Sequence, residues 1–580
     1  MINNECSNIK KEKWRKSKFE SVLLSYNKII TFFQRLRTSI SPNIEELLER
    51  KFLGRDFSEL LVYFSIILYT IIFSYYTILK FYSFSAYAWD LGIFNQSLWS
   101  TVNGGNFFFS NVELFVNPSG IFFGIHFSPI LFIVLPFYYL YSSAETLLIF
   151  QSFILALGAI PLYYYAKNAL KQRTIAVVFS LAYLMYPALH GINWFDFHVQ
   201  AFLPVLLFSL MYCLKKEKWP LYFFFVFLSL FVAENVPLII LFIGFYCFWF
   251  YRKQIFKAIK AKKITDNRIF VPILTIVLAL SWMLLALWIQ KTYFPVDSAY
   301  SELYKAVDNW SILGIKNDPI TLPLYVIFNP GNMIDAISYE LFEKSLYLVL
   351  LFTPLLFLSF KSSITAISLA WFFPVLLSNY RPYYLLGNHF PAYVIAFLFI
   401  GAIEGMKKNV SLPHFPTLNM YSKYMLLASL IFLVFVSPLS PLLGSFSNNF
   451  SEANTFFSVY RPPEIKEHDK LLQKVVDLVP NDASILTQNN IFPHFSNRIN
   501  SYVYPVSVYI EKAPPEAIDN YINDLVTKSE FVLIDFATDF FSSDAMLKKI
   551  DSMDIYGVYA NVDEIRLFKK NYQGELVLIE

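Results

Sequence analysis

The stretch from Tyr87 to Trp99 contains the strongest candidate for chemistry in this chain, the carboxylate of Asp90. Asp90 follows an apolar run and lies among aromatic residues, which favour the interface between lipid and water. A carboxylate at a membrane face is costly to desolvate and is often retained for function. In residues 82–125 the only other charged residue is Glu113. We therefore take Asp90 as the first candidate for chemistry, the alternative being a solvated loop carboxylate.

Asp196 and His198 form the second candidate pair. In an extended turn, side chains two residues apart point the same way. A carboxylate and an imidazole in that arrangement can share a hydrogen bond or a divalent cation such as Mg²⁺ or Mn²⁺. The alternative is structural, with Asp196 capping a helix that begins near Val199.

Four further polar residues lie at the ends of apolar runs: His126, Glu234, Arg381 and His389. Arg381 can hold a phosphate, because a guanidinium group matches phosphate oxygens. It can equally anchor the chain at the interface by snorkelling. Glu234 precedes Pro237 and can be a hairpin cap, and lone histidines in such positions are more often structural. Each residue is kept as a site candidate beside its structural alternative.

The composition indicates a membrane protein. Of 580 residues, 56% are hydrophobic and 16% are charged, whereas soluble domains carry about 25% charged residues. Apolar runs recur from residue 58 to residue 442, which predicts a polytopic α-helical membrane protein. A net charge of +4 gives no indication of nucleic-acid binding, and the three cysteines lack metal-binding spacing.

The distribution of Lys and Arg predicts the topology. Residues 1–57 carry 12 Lys and Arg against 7 Asp and Glu, so the positive-inside rule places them in the cytoplasm. The run 127–142 has two prolines and is shorter than the roughly 20 residues of a full crossing, so we expect a re-entrant or interfacial helix there. Eleven spans are then predicted: 58–80, 146–168, 174–190, 199–214, 219–233, 236–251, 268–292, 344–361, 363–380, 389–406 and 422–442.

Three regions follow from this topology. Residues 1–57 form a cytoplasmic basic segment, and residues 58–444 form a transmembrane domain with external loops 82–125 and 293–343. Residues 445–580 regain charge and show alternating strand patterns, which predicts a small extracytoplasmic α/β domain. All the candidate site residues then lie on the outer face.

Several motifs, taken in order, resemble a known family. They are the stretch from Asp90 to Trp99, His126-Phe-Ser-Pro129, Pro136-Phe-Tyr-Tyr, Gln151 through Pro161-Leu-Tyr, Phe195-Asp-Phe-His198 and, near the C-terminus, Pro493-His494-Phe-Ser-Asn-Arg498. In this order they are similar to a family of predicted prokaryotic, largely archaeal, membrane proteins known as domain of unknown function 2079. The resemblance covers about residues 58–570.

That family in turn resembles the GT-C glycosyltransferases, which have an acidic residue in the first external loop and a C-terminal external domain. The resemblance implies transfer of a sugar from a polyprenyl-phosphate donor in the membrane to a protein, lipid or glycan acceptor. Asp90 would be the catalytic base, Asp196 and His198 would bind a metal or orient the sugar, and the phosphate would contact Arg381 or His389. Substrate-binding roles would extend to Gln96, His126 and Glu234. The chain departs from GT-C enzymes in lacking an Asp-x-Asp pair after Asp90 and a Trp-Trp-Asp motif in the tail.

Two functions of other classes remain open. A transporter would place charged residues in mid-span and show broken helices at matching positions of two halves, and no such internal repeat is visible. A non-catalytic envelope assembly protein would need none of the carboxylates at the outer ends of the spans.

Overall fold

The computed structural model describes residues 43–52, 54–261, 266–295, 309–315, 322–410, 417–440, 463–505, 513–538 and 540–579. Most of the predicted cytoplasmic segment 1–57 lies outside the described residues. The same holds for parts of the predicted loop 293–343 and for residues 441–462, where the C-terminal domain was predicted to begin.

The first part of the chain is helical. A short antiparallel pair of strands, Lys51–Phe52 and Arg55–Asp56, separates the first helix from the second. The helices are Asn43–Glu49, Phe57–Tyr82, Ile93–Val102, Phe122–Ile125, Leu131–Leu140, Ala144–Leu157, Ala159–Leu170, Arg173–Leu184, Pro187–Trp194, Leu203–Lys215, Trp219–Leu230, Val236–Lys260, Asn267–Tyr293, Leu322–Phe328, Pro330–Ser338, Leu341–Phe352, Leu369–Leu376, Ile395–Val410 and Leu418–Val436. Short 3₁₀ and π-helical turns link several of them. The fold is therefore that of a polytopic helical membrane protein.

Helix lengths revise the predicted number of full crossings. In the described part of the chain, five helices are long and apolar enough to cross a membrane. A sixth is obtained if Arg173–Leu184 and Pro187–Trp194, bent by 41°, count as one span. Other predicted spans are short helices such as Trp219–Leu230, which at 1.5 Å per residue reaches about 18 Å.

The helix Phe57–Tyr82 defines the two ends of the helical bundle. At its beginning, Asp56 accepts hydrogen bonds from Lys167 at 2.9 Å and from Arg173 at 3.0 Å. Near its end, Lys80 contacts Asp196. The helix is about 39 Å long at 1.5 Å per residue. The basic cluster and the candidate site therefore lie at opposite ends of the bundle.

Residues 83–143 leave and return to the same end of the bundle. The hydroxyl of Tyr82 donates a hydrogen bond of 2.7 Å to Glu145, so the helices on either side of this segment are joined at its two ends. Within the segment, the helix Leu131–Leu140 has ten residues, too few for a crossing of roughly 20. A re-entrant or interfacial helix at residues 127–142 stays a prediction, with which this short helix agrees.

The C-terminal region contains a five-stranded sheet in the order Ser501–Val503, Ile485–Thr487, Phe531–Asp535, Ile565–Lys570 and Tyr556–Val562. The first three strands are parallel to one another. The strand Ile565–Lys570 pairs antiparallel with both of its neighbours, Phe531–Asp535 and Tyr556–Val562. The helices Glu467–Asp477, Pro515–Lys528 and Phe540–Met553 accompany the sheet. All five residues of the central strand are buried, as a strand covered on both faces requires.

Candidate functional site

Asp90 lies in a single π-helical turn, Ala88–Gly92, which leads directly into the helix Ile93–Val102. Such turns are rare and are frequently found at functional sites. The Asp90 side chain is 23% exposed, and its Oδ1 lies 3.4 Å from Nε2 of His198. The first two sequence candidates are thus brought into contact.

The loop that carries His198 is held by buried groups from other helices. Asp196 has a φ of +39°, a left-handed conformation that Asp adopts more readily than most residues. Its carboxylate accepts a hydrogen bond of 2.6 Å from Lys80 and one of 3.0 Å from the backbone N–H of Tyr87. The amide of Gln151 donates to the Asp196 carbonyl and accepts from the His198 N–H.

This geometry corrects two expectations for Asp196. The loop is not extended there, so Asp196 and His198 turn to different partners, Lys80 and Asp90. Asp196 also does not cap the following helix, because His198 occupies the N-cap position and no side-chain cap bond forms. The reason is the buried ammonium of Lys80, which draws the carboxylate away from the helix end.

The side chains do not fit the predicted divalent metal. The Asp196 carboxylate already faces a cation, and the nitrogen Nε2 of His198 faces Asp90. Within the described ranges, no three His, Cys, Asp or Glu side chains are grouped so as to hold a metal ion. Binding of Mg²⁺ or Mn²⁺ by Asp196 and His198 stays a prediction that this arrangement does not favour.

His198 and His389 stack on each other, with ring centroids 4.1 Å apart and planes within 10°. Phe195 covers both rings at 5.2 and 5.3 Å. The Nδ1 atom of each histidine is buried without a hydrogen-bond partner among the described residues. An unsatisfied buried polar atom is costly and calls for an explanation such as a missing ligand.

A second acid–base group lies beside the histidine stack. Nδ1 of His126 is 3.4 Å from Oε1 of Glu234. The charges of Glu113 and of His389 also interact with that of His126. Burial favours the neutral imidazole, but the hydrogen bond to Glu234 and the two carboxylate charges raise the pKa of His126.

Arg381 begins the 3₁₀ turn Arg381–Tyr384, whose tyrosines border the same region. The charge of Asp90 acts on Tyr380, and that of Glu234 acts on Tyr383. The Nε atom of Arg381 is buried with no hydrogen-bond partner in the described part of the chain. Arg381 is therefore close to the other candidates and retains an unused donor for an anion.

Six residues from five separate segments thus form one group. We call them the site cluster: Asp90, Glu113, His126, His198, Glu234 and His389. In the described residues, four of them have buried side-chain atoms without a hydrogen-bond partner: Glu113 Oε2, His198 Nδ1, Glu234 Oε2 and His389 Nδ1. Carboxylates and imidazoles with free positions can accept, donate and transfer protons.

Gln96 lies in a different environment. It is fully buried, and its Nε2 donates to the Arg498 carbonyl at 2.9 Å and to the Ser501 hydroxyl at 3.0 Å. Its Oε1 accepts from Ser110 and from the Asn111 N–H. Both the Nε2 and the Oε1 of Gln96 are therefore hydrogen-bonded to protein groups. Gln96 joins parts of the chain in this structure, whereas substrate binding was expected.

Gln96 belongs to a contact between the bundle and the C-terminal sheet. Asn95 donates to Ser496 and to Asn497, both at 2.7 Å, and Asn111 donates to the carbonyls of Ile499 and Ser501. We call this set the docking cluster: Asn95, Gln96, Asn111, Ser496, Asn497 and Ser501. It explains the second half of the motif that begins at Asp90.

The same contact places the turn that carries Asp90. Ala88 N–H donates to the side chain and carbonyl of Asn489, and the ring of His494 is stacked between Phe81 and Phe84. Burial lowers the pKa of His494 to about 3, so the ring is neutral. A Cβ on Gly92 would lie 2.7 Å from the Phe492 ring, so glycine is required for this close approach.

Sequence reasoning missed Lys80, Gln151 and Glu113 as parts of the site. Lys80 and Gln151 orient the loop of His198 and are 9% and 0% exposed. The available signal was a polar residue inside or at the end of an apolar run, which in a membrane helix indicates a partner or a function. Their partners lie too far along the chain to be read from spacing.

Comparisons with known proteins give one family. A sequence model described as a predicted membrane protein (DUF2079) matches residues 80–567. The matched range includes the site cluster, the docking cluster and most of the C-terminal sheet. A search of curated proteins gives no significant match.

Proposed function

For this chain, which belongs to the DUF2079 family of predicted membrane proteins, we propose the activity of a membrane glycosyltransferase. It transfers a sugar from a polyprenyl-phosphate donor in the membrane to an acceptor, which is a protein, a lipid or a glycan. The observation that carries this proposal is the site cluster, in which acids and bases from five segments meet with buried atoms unsatisfied. Buried polar atoms are usually satisfied, so several open positions within one cluster of acids and bases favour a bound ligand.

Asp90 is the proposed proton acceptor. Its carboxylate is partly exposed and in contact with His198, so it can both reach an acceptor hydroxyl or amide and be oriented by the imidazole. In the proposed reaction the acceptor loses its proton to Asp90 as it attacks the anomeric carbon. The bond from that carbon to the donor phosphate breaks, and the lipid phosphate leaves with the electron pair. A positioned general base of this kind typically contributes about a hundred- to ten-thousand-fold to the rate.

The leaving phosphate needs positive charge and hydrogen-bond donors. Arg381 supplies a guanidinium with a buried, unused Nε, and His389 supplies an imidazole edge. Because Tyr380 and Tyr383 place this turn beside Asp90 and Glu234, phosphate and acceptor can bind at the same time on either side of the anomeric carbon.

The proposed orientation follows from charge. The Lys167 and Arg173 end faces the cytoplasm by the positive-inside rule, so the site end and the C-terminal sheet face outward and the eleven predicted segments cross or line the membrane. Asn520 is exposed on the helix Pro515–Lys528. A cysteine there should react with an impermeant thiol reagent in intact cells, and labelling that requires permeabilisation would reverse the orientation.

The activity is tested by incubating the purified protein with radiolabelled polyprenyl-phosphate sugars and cell-envelope acceptors. Asp90→Asn keeps the size of the side chain but removes the base, so we expect transfer to fall by about a hundredfold or more. The matched control is Asp335→Asn, at an exposed position, which should transfer at the normal rate.

Donor binding is tested separately. Arg381→Ala should raise the KM for the donor, because one phosphate partner is lost, whereas Arg252→Ala, at an exposed arginine, should not. If the unaltered protein consumes no lipid-linked sugar, the glycosyltransferase proposal fails and transport or envelope assembly takes its place.

A further inference from the structure

Glu113 is a buried carboxylate of the site cluster to which the proposed reaction assigns no role. It is 5% exposed, and its Oε2 is buried with no hydrogen-bond partner in the described ranges. Its position is fixed by a tight turn, since the Glu113 carbonyl accepts hydrogen bonds from Val116 N–H at 3.0 Å and Asn117 N–H at 2.7 Å. A rigid, dry carboxyl group with an open oxygen is suited to hold a ligand atom.

The segment around Glu113 connects the site to the C-terminal sheet. A bridge between Phe109 and Ile121 closes the base of the loop. Phe115 packs on the ring of Tyr521 with centroids 5.1 Å apart, and Val116 is buried in the same core. The backbone of Glu113 therefore cannot withdraw easily, and its carboxyl group stays at the edge of the site cluster.

Charge balance determines the protonation state of this group. His126 interacts electrostatically with both Glu113 and Glu234 and is hydrogen-bonded to Glu234. One imidazolium can neutralise only one of two carboxylates, and the other is favoured in its neutral form. Glu234, whose side chain is 38% exposed, tolerates the negative charge better than the buried Glu113.

We propose that Glu113 is a neutral carboxylic acid in the ligand-free site and that its O–H donates a hydrogen bond to a ligand oxygen. A neutral acid offers one donor and one acceptor, which matches a hydroxyl group. The identity of the ligand atom rests on the proposed function, under which it is a sugar or acceptor hydroxyl. Burial raises the pKa of Glu113 to about 7, against the opposing charge of His126, in agreement with the geometry.

Infrared difference spectroscopy on the purified full chain tests the protonation state without any substrate. Spectra recorded on either side of neutral pH should show the C=O band of a protonated carboxyl group that disappears as the pH rises. The band should be absent in Glu113→Gln and unchanged in Glu516→Gln, a matched variant at an exposed position. Persistence of the band in Glu113→Gln, or its absence from the unaltered protein, overturns the proposal.

Glu113→Asp serves as a second variant, because it keeps the acid and should move the band and its midpoint. The transfer reaction then tests the hydrogen bond to the ligand. Glutamine mimics the neutral acid, so Glu113→Gln should keep transfer at alkaline pH, where the unaltered protein loses about tenfold per pH unit above the midpoint. Identical pH profiles would overturn the ligand role. The unaltered protein could show the infrared band, and Glu113→Gln could lack it, even if the unaltered protein transfers no sugar. That result would support the neutral acid and contradict only the glycosyltransferase activity.

Discussion

The site cluster and the docking cluster begin only a few residues apart in the chain, at Asp90 and at Asn95, yet their hydrogen bonding differs. In the docking cluster, the amides of Asn95, Gln96 and Asn111 are bonded to partners about 400 positions away. In the site cluster, four residues have buried atoms without partners among the described residues. Satisfied networks stabilise and orient a fold, whereas open ones are retained where something binds. Neighbouring polar residues in one motif thus serve different purposes.

The largest effect is expected from the buried pair that supports the site loop. Lys80→Met leaves the Asp196 carboxylate, 3% exposed, without its cation. Removing one partner of a buried pair typically costs about 3–5 kcal/mol. We expect a clear fall in the thermal unfolding midpoint in detergent. The double variant Lys80→Met/Asp196→Asn should recover part of the loss in unfolding midpoint. If its loss instead equals the sum of the losses of the two single variants, the pair is not coupled.

A smaller loss is expected in the docking cluster. Gln96→Leu leaves the buried Asn111 N–H without its acceptor, whereas the Arg498 carbonyl keeps the Ser501 hydroxyl as a donor. Each buried group left unsatisfied costs about 1–3 kcal/mol. The measurement is limited proteolysis of the full chain, in which the C-terminal sheet should be cleaved earlier than in the unaltered protein. Normal resistance and normal stability would place Gln96 with the ligand-binding residues again.

The close approach of Gly92 to Phe492 gives a test by complementation. Gly92→Ala places a methyl group 2.7 Å from the Phe492 ring, and overpacking typically costs about 1–3 kcal/mol. The double variant Gly92→Ala/Phe492→Leu should be more stable than Gly92→Ala alone, as judged by the unfolding midpoint. If Phe492→Leu lowers the unfolding midpoint further instead, Gly92 and the ring of Phe492 are not in contact.

The last effect, expected at Glu113, depends on pH and is smallest in acid. Its folded-state pKa of about 7 is above the ordinary value of 4.5. The neutral group therefore contributes stability that is fully present below the ordinary value and is lost as the pH rises through about 7. Glu113→Gln should match the unaltered protein below about pH 4.5, and its unfolding midpoint should increasingly exceed that of the unaltered protein as the pH rises from about 4.5 to about 7. A constant difference across this range would show that Glu113 does not titrate there.

The class of the protein could be predicted because apolar runs and basic clusters are local signals. The sequence also predicted that residues 127–142 do not cross, since the run is short. The number of full-length crossings could not be predicted, because an apolar run does not show where its helix ends, and Trp219–Leu230 stops after 12 residues.

The site was predicted in part for the same reason. Asp90 and His198 were recognised from their residue types, and the structure places them in contact. The sequence did not predict that Asp196 contacts Lys80 or that Gln96 contacts Arg498. Both contacts form only through tertiary packing. Spacing in the chain carries no information on contacts of that range.

The most direct test is a cryo-EM structure of the Asp90→Asn variant with a polyprenyl-phosphate sugar bound. We predict the sugar beside residue 90 and Glu113, with the phosphate against Arg381 and His389, and no ligand in the docking cluster. Ligand density confined to another surface, such as the apolar groove of about 300 Å³ between the helices Leu341–Phe352 and Leu369–Leu376, with the site cluster empty, would contradict the assignment.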